Sequence, residues 1–573
     1  MCGIIGYVGY QKADEVLISG LERLEYRGYD SAGICVCDKK LQVHKVVGRV
    51  ENLKTIDFTG NIGIAHTRWA THGKPTVENA HPHMSANGKI AVVHNGIVEN
   101  YLSLKEELRG VTFKSETDTE IIAHLIEKFY SGDLKDAVLK VINKMQGSYA
   151  ICVLMEGHDE LIFARNGSPL ILGVGSNENF VASDVAAFVE HTKKVIYLDD
   201  LEMGVLHNDG FEIFDNTGKK ISKEVSIVDW DLAQAQKSGH PHFMLKEILE
   251  QPTVVEETLK VNIDLDFSAK RIFMVACGTA SYAGFVGKYL IEKIARIPVE
   301  WMPASEFRYS DPIIGNDDLM FVISQSGETA DTLAALRLAK EKGARVVSIV
   351  NVVNSTIARE SDSVIYTRAG PEIGVASTKA YLAQLVILYK IAEKMGGKKL
   401  GLDKLPSAIK EILSNREKIK EIAKKYFLCH NLLFIGRGIN YPIAIEGSHK
   451  LKEISYIHAE AYAAGELKHG AIALVTEDTP TIVIATDSKI KEKLFNNIQE
   501  VKARNGKTIA IASNGDELIK KYSDDVFYVP KVDEILTPIL TIIPLQLFAY
   551  YIADMRECDI DKPRNLAKSV TVE

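Results

Sequence analysis

The second half of the sequence contains one pattern twice. The segments RIFMVACGTASYAG and NLLFIGRGINYPIAIEG each join an apolar strand to a helix through a glycine turn, and a further strand, turn and helix follow each. Cys277 precedes Ser324 by 47 residues, and Arg437 precedes Ala485 by 48. Strands that alternate with helices are typical of parallel sheets. We therefore predict two duplicated α/β subdomains, each of about 150 residues and built on a parallel sheet.

The first half has a different character. The first ~220 residues combine β-branched strands and Gly/Asn turns with a few amphipathic helices. This combination predicts stacked sheets and helices (α+β). The pattern weakens near Val225, and 573 residues are too many for a single core. The predicted divisions are a first domain at 1–222, a linker at 223–242, two duplicated domains at 243–400 and 401–563, and a tail at 564–573.

The net charge and the cysteine content limit which partners, metal sites and cellular compartment are expected. The net charge of −8 gives no reason to expect a nucleic acid or an anionic membrane as partner. The seven cysteines are scattered without a CxxC pair, so they predict neither a disulfide framework nor a zinc site. Reduced thiols and the lack of a recognisable signal peptide indicate a cytoplasmic protein. We expect no metal ion and no organic cofactor.

One apolar segment, ILTPILTIIPLQLFAYYI at 535–552, is nearly long enough to cross a bilayer. It contains Pro538, Pro544 and Gln546, and charged residues flank it closely. A buried helix that begins at a proline is therefore the better interpretation.

Cys2 stands directly behind the initiator methionine. If Met1 is removed, Cys2 carries a thiol and a free α-amine on one residue. That amine has a reference pKa of about 7.7–8.0, so it can accept the thiol proton and activate a nucleophile. Position alone leaves a buried structural cysteine equally open.

Three further segments, TRWATHG, VHNGIVEN and SETDTE, carry groups suited to binding an amino acid amide. Arg68 supplies a guanidinium for a carboxylate, and Asp118 supplies an acid for an α-amino group. Asn95 and the Gly96 N–H can donate to an oxyanion. Plainer alternatives exist, because a strand that ends at Asn-Gly usually forms only a turn, and Asp118 could only cap a helix.

These segments, together with MCGIIGYVG and NAHPH, resemble the motifs of the class II, N-terminal-nucleophile glutamine amidotransferases. The resemblance implies an αββα sandwich in which Cys2 attacks the side-chain amide of glutamine, giving a glutamyl thioester and ammonia. It also implies that Asn95 and Gly96 stabilise the oxyanion. The residues it implies for glutamine binding are Arg68, Trp69, Thr71, His72, Gly96 and Asp118.

A hydroxyl-rich turn, SQSGET, follows a buried strand in the first duplicated domain and opens a helix. A helix N-terminus has unpaired N–H groups and the positive end of the helix dipole, so it receives phosphate well. An ordinary capped helix start is the alternative. The second copy lacks this turn, which favours a phosphate site over a structural one. Ser377 in VASTKA opens another helix and is expected to serve the same ligand.

The second duplicated domain carries Glu446, Lys450 and Glu453 at i, i+4 and i+7, on one face of a predicted helix. A solvated salt-bridged face is the usual meaning of such a row, but apolar residues interleave this one. Near the C-terminus, Lys568 lies between apolar neighbours. A desolvated lysine can form a Schiff base with a ketose carbonyl.

This half of the chain is similar to tandem sugar-isomerase (SIS) domains, and the whole chain is similar to enzymes that join such domains to a class II glutaminase. The similarity implies that L-glutamine and D-fructose 6-phosphate are the substrates. Glutamine hydrolysis at Cys2, ammonia channelling, and amination with isomerisation would then give L-glutamate and D-glucosamine 6-phosphate, the first step of hexosamine synthesis.

The same similarity implies the roles of the sugar-site residues. In an expected homodimer, the partner subunit's His469 would assist ring opening and Lys568 would engage the open-chain ketose. Glu453 would move a proton between C1 and C2, supported by Lys450 and Glu446. Ala280 stands where some members have serine, so Thr279 is a weaker sugar contact. The implied sugar-phosphate set is Thr279, Ser324, Gln325, Ser326, Thr329, Val375 and Ser377.

Two other functions remain open from the sequence. One is an amidotransferase with a different acceptor, such as phosphoribosyl pyrophosphate or aspartate, but the duplicated α/β domains argue against it. The other is a non-catalytic sugar-phosphate sensor with a vestigial glutaminase domain. The residues that argue against the sensor are Cys2, Asn95, Asp118, Glu453 and Lys568.

Overall fold

The computed structural model describes residues 2–69, 73–228 and 237–571. The chain forms two compact units, Met1–Ala235 with Ala567–Glu573, and Gln236–Leu566. The mixed α/β and α+β fold class predicted from the sequence is confirmed, with antiparallel sheets in the first unit and parallel sheets in the second.

The first unit contains two sheets and four α-helices within the described residues. Its strands are β1 (Gly3–Val8), β2 (Ser31–Cys37), β3 (Leu41–Val47), β4 (Ile62–Arg68), β5 (His83–Met84), β6 (Ile90–Val98), β7 (Gly147–Met155), β8 (Leu161–Asn166), β9 (Ile171–Val174), β10 (Asn179–Ala182), β11 (Lys194–Tyr197), β12 (Glu202–Leu206), β13 (Phe211–Phe214), β14 (Lys220–Ile221) and β15 (Ser226–Ile227). Its helices are α1 (Ala13–Leu24), α2 (Tyr101–Glu106), α3 (Glu120–Phe129) and α4 (Leu134–Ile142).

The two sheets of this unit stack face to face. One has eight strands in the order β15-β11-β9-β10-β1-β4-β2-β3, and the other has seven in the order β14-β13-β12-β8-β7-β6-β5. Successive side chains of a strand point to opposite faces. In β1, Ile4 therefore joins the core between the sheets, whereas Ile5 packs in the core under α1. In β6, Val93 faces the inner core and Val92 faces α3 and α4. This is the expected αββα sandwich.

The second unit alternates strands and helices. Its strands are β16 (Arg271–Ala276), β17 (Val299–Pro303), β18 (Asp318–Ser324), β19 (Arg345–Val350), β20 (Ser363–Tyr366), β21 (Asn431–Gly436), β22 (His458–Ala463), β23 (Thr481–Ile484), β24 (Thr508–Ser513) and β25 (Asp525–Val529). Its helices are α5 (Phe243–Leu249), α6 (Gln251–Leu259), α7 (Gly278–Ile294), α8 (Ala304–Phe307), α9 (Ala330–Glu341), α10 (Thr356–Glu360), α11 (Lys379–Gly396), α12 (Leu405–Ser414), α13 (Arg416–Tyr426), α14 (Tyr441–Ser455), α15 (Lys491–Lys502) and α16 (Thr537–Met555).

The duplication predicted from the spacing is visible in the two parallel sheets of this unit. Their strand orders are β17-β16-β18-β19-β20 and β22-β21-β23-β24-β25, which is the same order in each copy. Both faces of each sheet are covered, because Phe273 and Met274 of β16 belong to different apolar clusters, as do Phe434 and Ile435 of β21. Burial on both faces explains why these strands are continuously apolar in sequence.

The apolar segment near the C-terminus forms α16. It is long and apolar enough to cross a membrane by length and composition, yet its most apolar window is entirely buried within the folded chain. The predicted buried helix is therefore confirmed, with Pro538 in its first turn and Pro544 inside it.

Candidate active sites

Cys2 lies at the start of a central strand. β1 pairs with β10 on one side and β4 on the other, and Gly3 is opposite Thr67. This register puts Cys2 beside the end of β4, where Trp69 follows Arg68. The Trp69 N–H donates to the Cys2 sulfur at 3.3 Å. Burial raises the pKa of the half-buried thiol, while this backbone bond and the nearby Arg68 act in the opposite direction.

Asn95 joins the Cys2 strand to the other sheet. Its side-chain amide donates to the Cys2 carbonyl at 3.0 Å and to the Ser183 hydroxyl at 2.9 Å. Ser183 also accepts the Ile4 N–H at 2.9 Å, so a single oxygen ties the amide to β1. The predicted nucleophile and oxyanion donor are thus brought together, through a serine that sequence reasoning missed.

His66 determines which way the Asn95 amide faces. Its Nε2 lies 3.0 Å from both the His94 carbonyl and Asn95 Oδ1. Burial lowers the pKa of His66 to about 3, so the ring is neutral. Two oxygen acceptors at Nε2 require the proton there. Because Nε2–H donates to Oδ1, the NH₂ group of Asn95 must point toward Cys2.

Gly96 occupies a position that demands glycine. Its φ is +134°, and a Cβ atom there would lie 1.9 Å from the Ser148 carbonyl oxygen. The expectation that the strand ends in a turn at His94-Asn95-Gly96 is wrong. β6 continues to Val98, which pairs with Gly147, because glycine tolerates the positive φ without leaving the ladder.

The two charged residues predicted to bind glutamine are buried. The Arg68 guanidinium donates to the Gly73 and Lys74 carbonyls at 3.2 and 3.3 Å, which fixes its position against this backbone. Asp118 Oδ2 accepts the Val98 N–H at 2.7 Å. The alternative in which Asp118 only caps a helix is wrong, since α3 begins at Glu120 after Thr119. Thr71 and His72 lie outside the described residues.

The predicted phosphate turn follows β18 and leads into α9. The Ser324 hydroxyl accepts the Gly327 N–H at 2.9 Å and lies 3.1 Å from the Thr329 hydroxyl. Ser326 accepts the Glu328 N–H at 3.2 Å. Thr329 makes no side-chain cap to α9, so the first N–H groups of the helix keep their capacity to bind an anion.

The corresponding turn of the second copy is built differently. It runs from β23 to α15 and carries Asp487, whose carboxylate pairs with Lys491 at 2.7 Å and Lys531 at 2.8 Å. The charged side chains of this turn are therefore already paired with one another, unlike the uncharged hydroxyl groups of the first turn. The contrast supports a phosphate function for the first copy alone.

The loop before α11 is shaped by Glu372, which sequence reasoning missed. Its carboxylate accepts the Thr378 and Ala380 N–H groups at 2.9 and 3.0 Å, and the Ser377 hydroxyl at 2.9 Å. The Val375 N–H donates to the Asp561 carbonyl at 3.0 Å. Gln325, also expected at the sugar phosphate, is half-buried in the turn after β18.

The charged row predicted on one helix face is real and mostly buried. On α14, Lys450 is fully buried and lies 3.4 Å from Glu446, and it also contacts Glu453 on its other side. Thr279, at the start of α7, donates to Glu446 at 3.3 Å. The two duplicated subdomains therefore meet at this row, and the alternative of a solvated surface row is wrong.

The two carboxyl groups of the row, Glu446 and Glu453, have pKa values that are shifted in opposite directions. Burial raises the pKa of Glu446 to about 7, more than Lys450 lowers it. Burial acts the same way on Glu453, but Lys450 and His449 together hold its pKa well below the usual range. Two neighbouring carboxyl groups whose pKa values are shifted in opposite directions are the arrangement that acid–base catalysis uses.

His449 is a further member of this site that sequence reasoning missed. Its Nε2 lies 3.2 Å from Glu453 Oε1. The i, i+4 spacing of His449 and Glu453 predicts that the two side chains are neighbours on a helix, but the sequence prediction considered only the Glu446, Lys450 and Glu453 row.

Two further residues, His469 and Lys568, were expected to be catalytic. His469 is exposed on a short 3-10 turn, Glu466–His469, of the second unit. Lys568 is half-buried in the C-terminal segment Ala567–Glu573, which groups with the first unit. Over residues 2–69, 73–228 and 237–571, no group of three His, Cys, Asp or Glu side chains is arranged to hold a metal ion.

Comparisons with known families match both units. A glutamine amidotransferase domain model matches residues 48–217. A SIS domain model matches twice, at residues 267–394 and 425–555. The two SIS matches cover the two parallel sheets, so they support the duplication independently of the structure.

Solved structures resemble the second unit. The C-terminal domain of glucosamine-fructose-6-phosphate aminotransferase from Francisella tularensis is 38% identical, with a TM-score of 0.54, and covers 57% of this chain and 99% of its own. A glucosamine-6-phosphate deaminase from Thermotoga maritima, at 22% identity and a TM-score of 0.50, shares the fold.

Curated relatives match from end to end. The glutamine–fructose-6-phosphate aminotransferase (isomerizing) of Aquifex aeolicus is 52% identical, and one from Thermus thermophilus is 51% identical, each over 100% of both chains. A paired glutamine amidotransferase and SIS architecture with this degree of full-length identity places the chain in one family. The chain belongs to the isomerizing glutamine–fructose-6-phosphate aminotransferases.

Proposed function

We propose that this chain converts L-glutamine and D-fructose 6-phosphate into L-glutamate and D-glucosamine 6-phosphate, the first step of hexosamine synthesis. One observation carries the proposal. A single chain holds Cys2, whose backbone carbonyl accepts the Asn95 amide, and, in a duplicated SIS unit, a buried lysine between two carboxyl groups. The full-length relatives are named for this reaction.

The first step is hydrolysis of glutamine. Removal of Met1 frees the Cys2 α-amine, which takes the thiol proton as sulfur attacks the amide carbon. Asn95 and the Gly96 N–H stabilise the oxyanion of the tetrahedral intermediate. The C–N bond then breaks, the nitrogen leaves with the proton as ammonia, and water hydrolyses the glutamyl thioester to glutamate.

Charged groups of the first unit recognise the amino acid end of glutamine. Arg68 pairs with the α-carboxylate and Asp118 with the α-amino group. Trp69, Thr71 and His72 follow β4 in the sequence and complete the proposed set of glutamine-binding residues. Burial lowers the pKa of Arg68, and the charges of Cys2, Asp30 and Asp118 oppose that change. A buried guanidinium that already faces acids is well placed for a zwitterionic ligand.

The second unit binds the sugar phosphate. The hydroxyl groups of Ser324, Ser326 and Thr329 and the N-terminus of α9 hold the phosphate without adding charge. The remaining members of this proposed set are Thr279, Gln325, Val375 and Ser377. The partner subunit's His469 assists ring opening, and Lys568 forms a Schiff base with the open-chain ketose.

The last step is an isomerisation. Ammonia displaces the lysine at C2 to leave an imine. The Glu453 carboxylate takes a proton from C1, the C–H electron pair forms a C1–C2 double bond, and the same proton returns at C2. The C1 hydroxyl proton leaves as C1 becomes the aldehyde, and the nitrogen gains a proton. Lys450 keeps Glu453 ionised, and Glu446, with its pKa raised to about 7, supports the transfers by giving or taking a proton.

No redox change occurs in this sequence, so it needs no electron carrier. Ammonia is mostly protonated in neutral water and then has no lone pair, so it must pass between the sites without mixing with solvent. We further propose that the enzyme is a cytoplasmic homodimer, with a glutaminase domain at 1–222, a linker at 223–242, SIS domains at 243–400 and 401–563, and a catalytic tail at 564–573.

A direct assay tests the proposal. The protein is mixed with glutamine and fructose 6-phosphate, and hexosamine phosphate and glutamate are quantified. We expect both products in equal amounts. Glutamate release without amino sugar would contradict the proposed acceptor and favour a different amidotransferase. A Cys2→Ala variant should lose glutamine-dependent synthesis, whereas Cys429→Ala, which removes a half-buried thiol of the second unit, should not.

A further inference from the structure

The Glu453 carboxylate is held by two donors from its own helix. Lys450 contacts Oε2, and His449 Nε2 lies 3.2 Å from Oε1. Each oxygen therefore has its own partner. A carboxylate held at both oxygens cannot rotate about its last bond without losing one of them, so its plane is fixed relative to α14.

The two donors differ in their surroundings. Lys450 is fully buried, whereas the His449 side chain is 25% exposed and the Glu453 side chain 15%. The His449 side of the carboxylate is thus the side that opens outward.

The imidazole is held in turn from the other subdomain. Tyr282, on α7 of the first SIS copy, packs edge-on against the His449 ring, with ring centroids 5.5 Å apart and an interplanar angle of 77°. Edge-to-face packing of this kind restricts the ring to one orientation. The same helix carries Thr279, which donates to Glu446. α7 therefore steadies both carboxyl groups of the row.

We propose that His449 is a positioning residue for Glu453 in the proton transfer between C1 and C2. This inference rests on the proposed function and refines it. Nε2 faces an ionised carboxylate, so it carries the proton and donates it to Oε1. That bond stabilises Glu453 as a carboxylate before it accepts the C1 proton, and orients it so that the same proton can return at C2.

Three variants separate this role from a structural one. His449→Leu removes the donor, His449→Asn keeps polarity but cannot reach Oε1, and His449→Gln restores a donor of similar reach. His158→Leu is the matched control, because His158 also faces a carboxylate, Glu160, at 3.6 Å with a 25% exposed side chain. Each variant is assayed as the full-length enzyme for amino-sugar formation and for glutamine hydrolysis.

We expect the Leu and Asn variants to lower kcat for glucosamine 6-phosphate about 10-fold, the typical effect of losing a hydrogen bond to a charged group. KM for fructose 6-phosphate and glutamine hydrolysis should stay within about 2-fold of the parent, because neither step uses Glu453. The Gln variant should recover most of kcat, and His158→Leu should match the parent.

The isotope effect gives a readout that a structural role would not move. With fructose 6-phosphate deuterated at C1, the Leu and Asn variants should show a larger primary effect on kcat than the parent, since proton transfer becomes slower. Parent-like kcat and isotope effect in folded His449→Asn would overturn the inference. A parent enzyme that hydrolyses glutamine but forms no amino sugar would instead overturn the proposed function.

Discussion

The Asn95 side-chain amide lies 3.0 Å from the Cys2 carbonyl oxygen, although Asn95 lies in β6 of one sheet and Cys2 directly precedes β1 of the other. The bond connects the end of β1 to the inner part of β6. The position of the nucleophile therefore depends on how the two layers of the sandwich stack. Ser183 and His66 complete the connection by fixing the amide on either side.

Ser183 should matter for glutamine hydrolysis without touching the substrate. Ser183→Ala leaves the Asn95 amide without one acceptor and frees its orientation. We expect kcat for glutamine hydrolysis to fall about 10-fold. Ser168→Ala is the control, because that hydroxyl is equally buried and has no hydrogen-bond partner among the described residues. Equal activity in both variants would show that Asn95 does not need this anchor.

Gly96 should be intolerant of any side chain. In Gly96→Ala the new Cβ would meet the Ser148 carbonyl at 1.9 Å while φ stays positive. We expect the free energy of unfolding to drop by more than about 3 kcal/mol from strain and overlap together. Gly132→Ala, at φ +110° with open space around it, should cost only about 1 kcal/mol. Denaturant unfolding of both variants tests this, and similar losses would contradict the steric argument.

The raised pKa of Glu446 predicts a pH-dependent stability. Its pKa rises from 4.5 to about 7 on folding, so the folded state binds this proton more tightly than the unfolded state. The stabilisation from this proton is complete at pH values below the pKa of Glu446 in the unfolded state. It is lost as the pH rises through the pKa of Glu446 in the folded state. Glu446→Gln mimics the neutral form and should become more stable relative to the parent, by roughly 2 kcal/mol, between about pH 5 and about pH 8.

Unfolding free energies of the parent and Glu446→Gln, measured at both pH values, check this prediction. A difference between the two proteins that is independent of pH would mean that Glu446 is ionised throughout. The depressed pKa of Glu453 has the opposite sign and acts at more acid pH, because its stabilisation is complete above the unfolded pKa and is lost as the pH falls toward the folded one.

Substitutions in the SQSGET turn at 324–329 should weaken the binding of the sugar phosphate without affecting glutamine hydrolysis. Ser326→Ala removes one hydroxyl donor, and we expect KM for fructose 6-phosphate to rise about 10-fold with glutamine hydrolysis unchanged. Ser488→Ala, in the corresponding turn of the second copy, is the control. If both variants raise KM alike, the first copy does not hold the phosphate alone.

The sequence predicted the layers better than it predicted the contacts. The stacked sheets and helices of the first unit, the duplicated parallel sheets and α16 follow from the pattern of apolar residues, which is a local property of the chain, whereas the αββα order of the layers came from the family resemblance. The strand through Asn95 and Gly96 was expected to end early, because Asn-Gly usually turns the chain and only the pairing of Val98 with Gly147 reveals that β6 continues.

Within the sites, predicted residues were those that carry recognisable motifs. Ser183, His66, Glu372 and His449 act on other side chains rather than on a substrate, so no motif marks them. For Ser183 and His66 the roles depend on distances between segments far apart in the sequence, such as the 2.9 Å bond between Asn95 and Ser183, and for Glu372 and His449 they depend on local side-chain geometry. Only the packed structure supplies those distances.

The transfer of nitrogen from one substrate to the other is the central claim. Glutamine labelled with ¹⁵N in its side-chain amide is incubated with fructose 6-phosphate in the presence of excess unlabelled ammonium. The account predicts that the glucosamine 6-phosphate formed by the parent enzyme carries the label almost completely, and that Cys2→Ala forms no labelled product. Amino sugar with the isotope content of the bulk ammonium, or label incorporated by Cys2→Ala, would contradict it.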